Sequence, residues 1–160
     1  MEKIIDIQSL TKSFKNSNAL NGLSLDVSCG EIYGLLGSNG AGKSTTLNIL
    51  LGFLSPDSGN AYINGVDTTN NYIQARKYIA YLPENINLYP YLSGIENLDY
   101  FSKIFGKKYT YKDLESFLQK CGLDNKAHDK KLSTYSKGMR QKVGIAIAIA
   151  KQAKVYLLDE

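Results

Sequence analysis

The sequence predicts an α/β fold in which short strands flank a helical insert. Three observations carry that prediction. The chain opens with segments that alternate apolar and polar residues. A glycine-rich loop then stands between an apolar run and a helical pattern. From Ile95 to Cys121 the apolar spacing itself turns helical. Composition agrees: of 160 residues, 43% are hydrophobic and 21% charged, ordinary for a globular chain and unlike a disordered, collagenous or coiled-coil one.

The elements follow in order. Ile4–Leu10 alternates and reads as a strand, as do Leu23, Leu25 and Val27. Glu31–Leu36 is mostly apolar and reads as a third strand, leading into the glycine-rich residues 37–42. Thr45–Leu51 has helical spacing, with Gly52 as its stop. Ser55-Pro56-Asp57-Ser58-Gly59 is turn chemistry. Ala61–Ile63 is a short strand entering an Asn64-Gly65 turn, and Tyr78–Leu82 is a strand ended by Pro83. Ile95, Leu98, Phe101 and Phe105, then Leu114, Phe117, Leu118 and Cys121, mark helices. Isoleucines at 145, 147 and 149 alternate with alanines, which suits a strand by period. The alanines and a start signal at Ser136 favour a buried helix. Val155–Leu158 reads as a short strand of the buried parallel type.

Charge and cysteine content narrow the setting. The net charge is +4, but residues 1–100 hold 6 basic and 9 acidic side chains, and residues 101–160 hold 13 and 6. The later lysines are scattered among aromatics and acids, so they read as a solvated helical surface, and no nucleic-acid partner is expected. No apolar run approaches the ~20 residues that span a bilayer. Asp6 and Gln8 interrupt the first apolar run, against a signal peptide. Two cysteines, Cys29 and Cys121, make no disulfide framework. The expectation is a cytoplasmic chain with reduced thiols.

Gly37-Ser38-Asn39-Gly40-Ala41-Gly42-Lys43-Ser44 matches the phosphate-loop pattern G-x-x-x-x-G-K-[ST]. Glycines let the backbone wrap so that successive N–H groups point at phosphate oxygens, and the following helix adds its positive end. Lys43 reaches the terminal phosphates as a point charge, and the Ser44 hydroxyl is a ligand for Mg²⁺. The pattern implies nucleoside triphosphate binding, not a particular reaction. Val155–Leu158 then ends in two carboxylates. Asp159 is placed to hold Mg²⁺ through water, and Glu160 to orient or deprotonate an attacking water.

At this point the chain resembles the ATP-binding subunit of an ABC transporter, motif by motif and in order. Phe14 stands where that family places an aromatic that stacks on adenine. The phosphate loop follows, with Thr45 as a further nucleotide-binding residue. Tyr81-Leu82-Pro83-Glu84 resembles the Q-loop, with Glu84 in place of glutamine. Tyr135-Ser136-Lys137-Gly138-Met139 resembles the signature motif, with Lys137 and Met139 as departures, and Asp159-Glu160 resembles Walker B. Ser136 suits a helix N-cap, and in the family such a helix start meets the γ-phosphate of ATP on a second, head-to-tail subunit. There Ser136, Lys137, Gly138 and Met139 face the partner's ATP, and residues 139–150 become a helix.

The resemblance implies a P-loop NTPase (RecA-like) core, an antiparallel N-terminal β subdomain and an inserted α-helical subdomain. It divides residues 1–160 into core and β subdomain (1–85), helical subdomain with the signature (86–142), and signature helix with the Walker B strand (143–160). It also implies ATP and Mg²⁺ as ligands and a separate transmembrane permease subunit as partner, with the chain peripheral on the cytoplasmic face of the membrane. Tyr-Leu-Pro-Glu and Tyr-Ser-Lys-Gly-Met look most like the bacterial, bacitracin-type drug-exporter branch. A soluble translation-factor ATPase acting on ribosomes is the alternative. A DNA-repair ATPase would need a longer insertion, and a phosphate-loop kinase would need no signature. The family pattern continues past Walker B to a histidine that contacts the γ-phosphate. The sequence therefore reads as a truncated cassette that hydrolyses little ATP. His128 precedes the signature and is expected to face solvent in the loop 124–131.

Overall fold

A computed structural model describes residues 2–15 and 17–159. They fall into two compact units, Met1–Ile79 and Ala80–Glu160.

The first unit is built on a four-stranded sheet, β2-β1-β3-β4, antiparallel throughout. β1 (Lys3–Phe14) and β2 (Ser17–Ser28) extend the two expected strands at both ends. Ile5 and Ile7 face inward by strand parity. The register then slips between Ile7 and Leu10, with Ser9 at φ 50°, and that bulge brings Leu10 to the same buried face. β3 (Ser58–Ile63) and β4 (Val66–Asp67) form a hairpin. Its turn residues Asn64 and Gly65 both have positive φ, the conformation a two-residue turn requires. α1 (Lys43–Leu50) lays Thr46, Ile49 and Leu50 against this sheet. Arg76, just after the short helix α2 (Tyr72–Ala75), closes the C-terminal end of α1. Its guanidinium donates to Leu51 O at 2.6 Å and Gly52 O at 3.1 Å while lying over the Phe53 ring.

The second unit packs three helices: α3 (Gly94–Ile104), α4 (Tyr111–Lys120) and α5 (Lys137–Lys151). Ile95, Leu98, Leu114, Leu118, Val143, Ala146 and Ala150 share one core. α3 and α4 each begin with a reciprocal capping box, Ser93 with Glu96 and Thr110 with Asp113. The isoleucine–alanine stretch is helical, as its alanines favour. Gly144 lets α5 lie close to Ile86, whose Cδ1 occupies the space a Cβ would take. β5 (Ile79–Leu82), at the boundary between units, pairs with β6 (Val155–Leu158).

Three expectations are corrected. Glu31–Leu36 forms no strand: residues 31–38 join neither sheet, and Ile32 is 99% exposed. An apolar run becomes a strand only where a neighbour supplies hydrogen bonds and cover, and no described strand lies alongside this one. β6 is buried on one face only, with Val155 and Leu157 inward and Tyr156 and Leu158 exposed. His128 does not face solvent. Its loop folds onto α3 through Ile95 N–H and the His128 carbonyl, which leaves the ring 1% exposed with Nε2 3.3 Å from Leu123 O.

Candidate functional site

In the first unit the loop 37–42 leads directly into α1. Ala41 N–H donates to Ser38 O at 3.1 Å, and Gly40 and Gly42 take φ of 85° and 89°. Gly42 needs its lack of a side chain twice over. Its φ is left-handed, and a Cβ there would fall against Ala19 O and 2.7 Å from Leu20 Cδ2. Gly42 is also the N-cap of α1. It supplies no side-chain cap, and the first turn holds no acidic residue, so the positive helix end is left un-neutralised. Lys43 folds back over the loop and donates from Nζ to Gly37 O at 2.6 Å and Ser38 O at 3.0 Å. Ser44 is exposed, and Thr45 is half-buried. Buried Thr46 donates from Oγ1 to Gly42 O at 2.9 Å, which fixes the loop to the helix.

A loop of main-chain N–H groups, an open helix N-terminus and a lysine parked on carbonyls is a cradle for a polyphosphate. The donor set also fits Mg²⁺ brought by phosphates. No cluster of three or more His, Cys, Asp or Glu exists among the described residues, and magnesium commonly needs only a hydroxyl or carboxylate besides phosphate and water. Phe14, at the end of β1, keeps 48% of its surface exposed, with Lys12 Nζ 5.9 Å over its ring.

The second unit carries the other predicted residues. Ser136 is the N-cap of α5, and its Oγ accepts from Met139 N–H at 3.2 Å. Buried Tyr135 donates to Ala127 O at 2.5 Å, and Arg140 donates to Tyr135 O at 2.9 Å, so the cap is anchored on its N-terminal side. Ser136, Lys137 and Gly138 are exposed, and a Cβ at Gly138 would meet nothing within 4 Å. Met139 packs against the helical core, an apolar use for that departure from the family pattern. The other two departures meet each other: Lys137 Nζ lies 3.5 Å from Glu84 Oε1, both side chains exposed.

Asp159 stands at the end of β6, half-buried, with its N–H on Leu82 O at 3.0 Å. Tyr81 donates its hydroxyl to Asp159 Oδ2 at 3.2 Å, and burial together with that carboxylate pushes the tyrosine pKa up. The sequence offered no local signal for this pairing across 78 positions. Glu160, the expected catalytic residue, lies outside the described residues.

A family profile described as ABC transporter matches residues 20–160. The chain belongs to the ABC transporter family. It is 40% identical over 159 residues to the uncharacterized ABC transporter ATP-binding protein YdbJ of Bacillus subtilis, covering 99% of this chain and 51% of that protein. It is 35% identical over 160 residues to the bacitracin transport ATP-binding protein BcrA of Enterococcus faecalis, covering 100% of this chain and 51% of that one. Among solved structures, an ATP-binding subunit of an ABC transporter superposes with TM-score 0.86 at 30% identity, covering 98% of this chain and 66% of that one. The dimeric ATP-binding cassette MJ0796, in a post-hydrolysis state with ADP and Pi, superposes with TM-score 0.82 at 27% identity, covering 98% and 73%. The ABC transporter chain thus spans about half the length of the curated relatives it matches. Its fold is that of the ABC ATPase cassette, mixed α/β with an antiparallel sheet. No helix among the described residues is long and apolar enough to cross a membrane.

Proposed function

We propose that the chain binds ATP with Mg²⁺ and couples its binding and hydrolysis to transport, most naturally export, through a separate membrane subunit. The observation that carries this is the loop 37–42, with Lys43 resting on Gly37 O and Ser38 O above an uncapped helix start. Incoming phosphates offer Lys43 better acceptors than those two carbonyls, and the main-chain N–H groups of the loop complete the cradle. Phe14 stacks on the base; Gly37–Thr45 hold the phosphates. Ser44 and, through water, Asp159 hold Mg²⁺, which when bound neutralises charge on the terminal phosphates. Glu84 senses the γ-phosphate and metal. Glu160 orients the attacking water.

Ser136–Met139 open a helix whose N-terminus is accessible, which suits the γ-phosphate of a second, head-to-tail copy. Residues 86–142 are the part assigned to the membrane subunit. Relatives named for bacitracin transport and Nod factor export support transport over the soluble translation-factor reading, and the Nod factor relative supports its direction.

Equilibrium titration with a fluorescent ATP analogue and Mg²⁺ tests the core of this reading. Lys43→Ala removes a charge-assisted contact worth roughly 1.5–3 kcal/mol and is expected to weaken binding accordingly. Equal affinity in mutant and parent would refute the assignment. Reconstitution with the membrane protein encoded by an adjacent reading frame tests the transport step. For a chain extended past Glu160, ATP-dependent substrate movement is expected and is expected to be lost with Lys43→Ala; residues 1–160 alone are expected to bind ATP but to move little substrate.

A further inference from the structure

The ladder between β1 and β3 ends at the Thr11–Ser58 pair, whereas β1 runs on to Phe14. Main-chain groups two residues apart face the same edge of a strand. The next amide on that edge, Ser13 N–H, therefore has no strand opposite it. Asp57 takes the place of one. Its own N–H donates to Thr11 O at 2.9 Å. Its Oδ2 accepts Ser13 N–H at 2.7 Å, and its Oδ1 accepts Lys12 Nζ at 2.7 Å. The Lys12 side chain is only 15% exposed, and its ammonium sits 5.9 Å over the Phe14 ring. Across the hairpin, Ser13 Oγ donates to Asn18 Oδ1 at 2.9 Å. One carboxylate thus grips both residues that immediately precede Phe14, from 44 and 45 positions away in the sequence. Those two contacts hold the Asp57 carboxyl below its ordinary pKa.

We propose that Asp57 is a positioning residue for the base-binding ring: by holding Ser13 and Lys12 it fixes Phe14 as a platform for the purine of the nucleoside triphosphate. The proposal rests on the reading of Phe14 given above. Ion pairs near the surface add little to stability, so the consequence of this clamp is order in residues 12–14 rather than a tighter fold. A ring already fixed in its stacking position loses less freedom when the base arrives.

The test compares ATP with inorganic tripolyphosphate, which engages the phosphate loop but has no base, both with Mg²⁺. Asp57→Ala is expected to weaken ATP binding about 3- to 10-fold while leaving tripolyphosphate affinity unchanged. It is expected to add nothing in a Phe14→Ala background. Asp57→Asn keeps an oxygen acceptor for Ser13 N–H and is expected to recover most of the loss. Equal weakening toward ATP and tripolyphosphate would show a general effect on the unit and overturn the proposal. Full ATP affinity in Asp57→Ala, with Phe14→Ala impaired, would overturn it while sparing the role of Phe14. Full ATP affinity in Phe14→Ala would remove the base-stacking reading itself.

Discussion

Single residues set the chemistry of the first unit, and two of them give direct predictions. Phe14 is half-exposed at the end of β1, as a stacking platform must be. Phe14→Ala is expected to cost about 1–3 kcal/mol in ATP affinity, and Phe14→Tyr little, because stacking reads a π-face that both aromatic rings supply. ATP and GTP should then differ only modestly in a competition titration. Gly42 is constrained by its left-handed φ of 89° and by the backbone of Ala19 beside it. Gly42→Ala is expected to lower stability by about 1–3 kcal/mol and to abolish nucleotide binding. Thermal unfolding and the ATP titration, run on the same sample, check both outcomes.

At the scale of elements, helix ends do much of the organising. The α4 capping box shows how that depends on pH. Asp113 accepts from the Thr110 hydroxyl and from the Thr110 main-chain N–H, and both contacts hold its carboxyl below the ordinary 3.8. Because the folded pKa is the lower one, the unfolded chain binds the extra proton first as pH falls. The contribution is fully present above the ordinary value and disappears as pH drops through the folded one. Thermal midpoints measured from about pH 5 down to about pH 2 should therefore fall, and Asp113→Asn should flatten part of that slope. Asp57, lowered by Lys12 and by Ser13 N–H, adds to the slope in the same direction. The capped start of α5 was legible in advance from Ser136 and the alanines. The strand expected at 31–36 was not correctly legible, because a strand is a property of two segments and the sequence shows only one.

For the whole molecule, the exposed apolar residues are the informative feature. Ile32 and Leu36 are 99% and 92% exposed, and Leu158 is 67% exposed. In this chain, Ile32→Asn is expected to change unfolding free energy by no more than about 0.5 kcal/mol, as at other uncovered surface positions. A denaturant titration decides it. A loss above ~2 kcal/mol would mean that residues 31–36 are packed like a core strand after all. The same substitution should improve solubility, since it replaces a fully exposed apolar side chain with a polar one.

The sequence by itself determined the loop and helix of the phosphate cradle, the helical insert, the Ser136 cap and the strand that leads to Asp159. All of these rest on local signals: period, glycine placement and capping chemistry act within a few residues of one another. Tertiary structure decided what depends on distant partners. It buried His128 under its own loop, set Tyr81 against Asp159, paired Glu84 with Lys137, and brought Asp57 to Ser13 and Lys12. It also left residues 31–38 unpaired and one face of β6 open. Each of those outcomes turns on which segments lie side by side, and adjacency in space is fixed by packing of the whole chain rather than by any window of it.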